Sequence, residues 1–178
     1  MKPENLTSEF ESKKVFQYAA DGNKVVKHNR MMRKIAENLY IGETRANEYG
    51  QKFFDVYACF DGVECGLKVT TLPGYWLDEE DGLEQIIDRA RVHSNIEGIL
   101  NFVYAAVAKQ DHIPMIYVEF VNQIKPEYVP AMLESRRLYS EREERERAEY
   151  REKVAAEEAE YCRERNEQDR LCQGIRYR

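Results

Sequence analysis

No run of apolar residues in this chain approaches the roughly 18 that a membrane-spanning helix needs. The opening residues, Met1-Lys2-Pro3-Glu4, lack the apolar segment of a secretory signal. Both absences point to a cytoplasmic protein with no membrane partner. Glycine and proline are scarce, at 9 and 5 of 178 residues, which excludes collagen-like and low-complexity chains. Histidine is scarcer still, and none of His28, His93 and His112 stands near another histidine or a cysteine at metal-ligand spacing. The four cysteines, Cys59, Cys65, Cys162 and Cys172, form no CxxC pair, and thiols in a cytosolic chain should stay reduced. The glycines make neither a P-loop nor a GxGxxG pattern. No catalytic residue, metal ligand or cofactor site is therefore assigned.

Charge is what the chain has in excess, and it is unevenly placed. The 45 residues from Glu134 to Arg178 hold 12 basic and 13 acidic residues. The first 133 residues hold 15 basic and 20 acidic ones, an ordinary density with a net charge of −5. Two parts are expected: a compact domain over 1–133 and an extended Glu/Arg-rich helix over 134–178 ending in a basic tip. Between Ser140 and Arg170 there is no glycine or proline, and Glu, Arg and Ala dominate. Glu141 with Arg145, Glu143 with Arg147 and Glu149 with Lys153 stand four apart in the favourable order, each pair worth about 0.2–0.5 kcal/mol. No heptad of Leu or Ile is sustained, so a strong coiled coil is not supported.

The first part reads as α+β with a small, mainly antiparallel sheet. Residues 51–70 form a predicted hairpin around Asp61-Gly62, a favoured two-residue turn. In that register Phe54, Val56, Ala58 and Phe60 face Val69, Leu67, Cys65 and Val63 on one apolar side. Asp55 then faces Lys68, and Cys59 faces Glu64, on an exposed polar side. A third strand is expected over 115–121, where β-branched and aromatic residues follow Pro114. Helical periodicity appears at Leu83, Ile86, Ile87 and Ala90, and again from Ile96 to Val107 behind a capping box at Ser94-x-x-Glu97. Earlier helices are expected over 9–20 and 24–40.

Three surfaces suit partner binding. The loop Tyr75, Trp76, Asp78, Glu79, Glu80 and Asp81 joins the one tryptophan to four acidic residues, an aromatic anchor with a rim for a basic surface. Alternatively Trp76 covers the core, and the acids cap the following helix. Lys27, Arg30 and Lys34 fall at i, i+3, i+7 on the expected early helix, a patch for an acidic protein or for RNA phosphates. Arg142, Arg145 and Arg147 offer a charged face on the C-terminal helix. The acidic balance, with a pI near 5.3, disfavours direct nucleic-acid binding. The preferred expectation is a non-catalytic interaction protein that docks on a protein partner. Its sharpest form is an anti-CRISPR-like inhibitor or regulator of a nucleic-acid-processing machine, carried by a phage or mobile element. One alternative is a metal-dependent nuclease or hydrolase centred on Asp55, Glu64 and Lys68, with His112 as a general base. Another is a scaffolding subunit that oligomerises through the C-terminal helix.

Overall fold

A computed structural model describes residues 9–175 apart from 21 and 23, with the backbone alone for 172–175. The expected basic tip at 176–178 lies outside the described residues. The chain is α+β. Six strands come first: β1 (Glu11–Tyr18), β2 (Val25–Ala36), β3 (Leu39–Gly42), β4 (Arg45–Ala46), β5 (Lys52–Ala58) and β6 (Leu67–Pro73). Four helices follow: α1 (Gly82–Ala90), α2 (Ile96–Lys109), α3 (Met115–Ile124) and α4 (Val129–Ile175). Two compact units divide the chain, residues 1–136 and 137–178.

In the first unit every ladder is antiparallel, running β1 to β2, β2 to β3 and β3 to β5, with β4 and β6 also on β5. The sheet then curls back on itself. Gly66, just before β6, forms a parallel bridge with Val15 of β1. Phe16 N donates to Gly66 O at 3.0 Å, and Gly66 N donates to Lys14 O at 2.8 Å. The approach requires glycine: a Cβ at 66 would sit 2.4 Å from Cys59 Sγ and 2.8 Å from Ala58 O. Strands β1, β2, β3, β5 and β6 thereby form a small barrel closed at one point.

Closure gives the sheet two buried sides. Phe16, Ile35, Leu39, Ile41, Phe54, Val56 and Leu67 belong to the main core, with Ile86 of α1, Ile99 and Val103 of α2, and Phe120 of α3. The opposite side buries Val15, Met32, Tyr40, Tyr57 and Cys59 inside the barrel. At about 25 cal/mol per Å² of apolar surface removed from water, these two clusters supply the main drive for folding.

Several expectations are corrected. Residues 9–20 and 24–40 are not helical but make β1, β2 and β3. Gly22, with φ +70°, turns β1 into β2, and Asn38, with φ +60°, turns β2 into β3. Residues 115–121 are not a strand but α3. Its Ile116, Tyr117, Val118, Phe120 and Val121 are all buried, and its polar stripe, Glu119, Asn122 and Gln123, lies mostly beyond residue 121, so the span 115–121 shows almost no helical period. The hairpin over 51–70 exists as β5 and β6, but its register differs. Phe54 pairs with Leu72 and Ala58 with Leu67, so residues 59–66 form a longer connection than a two-residue turn. Gln123 of α3 holds that connection: it accepts from Cys65 N at 2.9 Å and donates to Cys65 O at 3.0 Å. The cap of α2 is Asn95, whose side chain accepts from Gly98 N at 2.6 Å, one residue past the expected Ser94.

The C-terminal helix is one continuous element of 47 residues. Its first turns, through Arg136, belong to the first unit, where Met132 joins the core and an Arg136 amine donates to Ile113 O. In the second unit, Arg147 lies 3.3 Å from Glu143, an expected pair, whereas Glu141 pairs with Arg137, in the opposite order to the Arg145 pairing expected of it.

Candidate functional site

Asp55 organises the most polar buried cluster of the first unit. It points into the barrel from β5 because β5 alternates, Phe54 and Val56 going to the core and Asp55 and Tyr57 to the interior. The expected exposed face is therefore corrected: Asp55 is 4 % exposed and Tyr57 is 3 %. Four donors converge on one carboxylate. Lys68 Nζ stands 2.9 Å from Oδ1 and Thr71 Oγ1 donates to Oδ1 at 2.6 Å. Tyr57 OH donates to Oδ2 at 3.2 Å, and an Arg45 amine also binds Oδ2. Burial alone would raise the Asp55 pKa. The hydrogen bonds from Lys68 and Thr71, with the charges of Lys68 and Arg45, outweigh it and hold the carboxyl below its usual range. Tyr57, buried beside this anion, has its phenol pushed upward and stays neutral.

A cavity of about 450 Å³ opens over this cluster. Past the bridge at Val15 and Gly66, β1 and β6 share no ladder pair among the described residues. The cavity occupies that gap, with Gln17 and Arg30 on one side, Arg45, Asp55 and Lys68 on the other, and the first turn of α3 at its wall. Arg30 Nε and Nη2 both donate to Gln17 Oε1, at 3.1 and 2.7 Å.

The nuclease grouping does not assemble. Glu64 lies in the β5–β6 connection, exposed, bonded to Lys27 at 2.7 Å and Lys14 at 3.1 Å. Those lysines hold its carboxyl below the ordinary range. Asp55 and Lys68 form the pair expected of them but bond to each other, and His112 does not line the cavity. Among the described residues no group of three His, Cys, Asp or Glu side chains could hold a metal ion. Nor is any helix among them long and apolar enough to cross a membrane. Cys59 is buried, with its thiol pushed up to about 12 by burial.

The expected basic patch also dissolves. On a strand the period is two, so Lys27 takes the opposite side from Arg30 and Lys34. Lys27 engages Glu64 and Arg30 engages Gln17. In the aromatic loop, Tyr75 is exposed and Asp78, Glu79, Glu80 and Asp81 face water. Trp76 is half-buried against the core, with the Arg89 guanidinium 4.6 Å above its ring. On α4, Arg145 and Arg147 are exposed, whereas Arg142 is half-buried over the Tyr139 ring at 5.3 Å.

One feature of α4 escapes a search for heptads. Tyr139, Tyr150 and Tyr161 recur every eleven residues. Eleven residues are three turns plus about 20°, so the tyrosines share one stripe about 33 Å long, with Val154 beside it. Tyr150 is 69 % and Tyr161 64 % exposed. Comparison with known proteins found no matching family model, no similar curated protein and no similar solved structure.

Proposed function

We propose that this chain is a non-catalytic protein-interaction protein that meets its partner through the tyrosine stripe of α4. The observation that carries this reading is the pair Tyr150 and Tyr161, large aromatics left in water on a helix rich in charged residues. Tyrosines supply wide contact area with a polar tip and are enriched among the residues that dominate binding energy. Flanking Arg145, Arg147 and the glutamates form the polar rim that sets encounter rate and specificity. The net charge of −5 on the first 133 residues favours a cationic partner. The sharpest form of the proposal is an inhibitor or regulator, anti-CRISPR-like in manner, of a nucleic-acid-processing machine whose basic groove suits an acidic protein.

The test is affinity purification from the native host with quantitative mass spectrometry, comparing the parent with Tyr150→Ala/Tyr161→Ala. Loss of two such anchors should reduce recovery of the true partner by at least about tenfold. Equal recovery by both overturns the reading. The eleven-residue period favours a second reading, self-association of α4, because that repeat suits a right-handed helical bundle. Analytical ultracentrifugation separates the two: a discrete oligomer dissolved by the tyrosine double variant supports self-association, and a monomer excludes it.

A further inference from the structure

We propose that the open side of the barrel is a binding site for a small phosphorylated ligand, independent of whatever partner α4 takes. Three cationic side chains, Arg30, Arg45 and Lys68, line one cavity that holds a single carboxylate, Asp55. The site therefore carries an excess of two positive charges in a chain that is negative overall. Asp55 does not cancel the cations so much as fix them. Lys68 gives it one of three ammonium donors, and Arg45 reaches it through one amine of a guanidinium with five N–H groups. Arg30 is fixed in turn by the Gln17 amide oxygen, which takes donors from Nε and Nη2. Three oriented cations with donors to spare suit the several oxygens of a phosphate better than the two of a carboxylate.

Two further observations point the same way. The α3 N-terminus lines this cavity and has no acidic residue in its first turn, so the positive end of its peptide dipoles adds to the cations. The heads are also reachable, since the Arg45 and Lys68 side chains are 41 % and 34 % exposed while Asp55 is buried beneath them. A volume of about 450 Å³ exceeds what inorganic phosphate needs and falls among small-ligand sites. Ile116 and Tyr117, on the α3 wall, supply an apolar surface for the organic part.

Isothermal titration of the full chain tests this with inorganic phosphate, ribose 5-phosphate, ribose and acetate, each repeated on Arg30→Gln. Arg30 is chosen because it bonds only Gln17 among the described polar contacts, and chemical denaturation of the variant confirms that it folds. Binding of phosphate or ribose 5-phosphate, weakened about tenfold or more by Arg30→Gln, is the expected result. Tighter binding of ribose 5-phosphate than of phosphate identifies a phosphorylated small molecule as the ligand, whereas equal binding identifies the free anion. Absence of binding by both phosphates overturns the proposal. So does binding unchanged in a folded Arg30→Gln variant, or acetate bound as tightly as phosphate.

Discussion

Adding one methyl group at Gly66 should open the barrel. The new Cβ would stand 2.4 Å from Cys59 Sγ, 2.8 Å from Ala58 O and 3.3 Å from Val15 Cγ1. Comfortable carbon contacts begin near 3.5 Å, so two neighbours must each retreat by about 1 Å, and one is backbone. Overpacking of this kind costs about 1–3 kcal/mol. If the strands part instead, the bonds from Phe16 N and Gly66 N are lost, at about 0.5–1.5 kcal/mol each. By either route Gly66→Ala should destabilise by about 1–3 kcal/mol in guanidinium denaturation with an unchanged slope. Cys59→Ala removes the sulfur that makes the shortest contact. The double variant Cys59→Ala/Gly66→Ala should lose less than the two single changes combined, with a coupling of about 1 kcal/mol or more. Gly66 does not have a positive φ, so the experiment reads sterics rather than backbone strain. A Gly66→Ala chain within about 0.5 kcal/mol of the parent would refute the closure argument. Strict additivity with Cys59→Ala would refute its assignment to that contact.

Other outcomes follow from the same packing. Asp55→Asn keeps the shape but removes the charge that Lys68 and Arg45 hold, and should cost about 1–3 kcal/mol at neutral pH. The folded Asp55 carboxyl titrates below its ordinary value of 3.8, so its stabilisation is complete above that pH and fades as pH falls through the folded value. Denaturation midpoints should show this acid-side loss in the parent and not at this site in Asp55→Asn. His93 is shifted down by burial, so its contribution is complete above the ordinary imidazole value of 6.5 and shrinks as pH falls below it. His93→Phe should flatten that portion of the stability profile. Gln123→Ala leaves Cys65 N and O without their partner and should cost about 2–4 kcal/mol, read by the same denaturation.

What could be read ahead of the structure was local. α1, α2 and α4 follow from periodicity and composition within their own residues, and the pairing of β5 with β6 from alternation. The dipeptide Asp21-Gly22 is the same kind of turn signal as Asp61-Gly62, yet Val25, Met32, Ile35 and Leu39 also fit a helical period, and that ambiguity hid β1 and β2. The hairpin register failed because residues 59–66 answer to distant partners, Gln123 and β1, rather than to each other. The site divides likewise. Asp55 and Lys68 sit on one hairpin and were legible as a pair. Arg30 and Gln17 reach the cavity only because the sheet closes between residues 15 and 66, a contact no short window contains. The tyrosine stripe was present in the sequence but lies outside a seven-residue search.

Amide hydrogen exchange decides whether α4 is the contact surface. The chain is compared alone and bound to the partner recovered by affinity purification. Exposed helix with few tertiary contacts opens readily, so amides between 143 and 168 should exchange fast in the free chain. Docking through α4 should bring strong new protection there in the complex, centred on Tyr150 and Tyr161. Unchanged exchange along α4, with protection confined to residues 9–136, would contradict it.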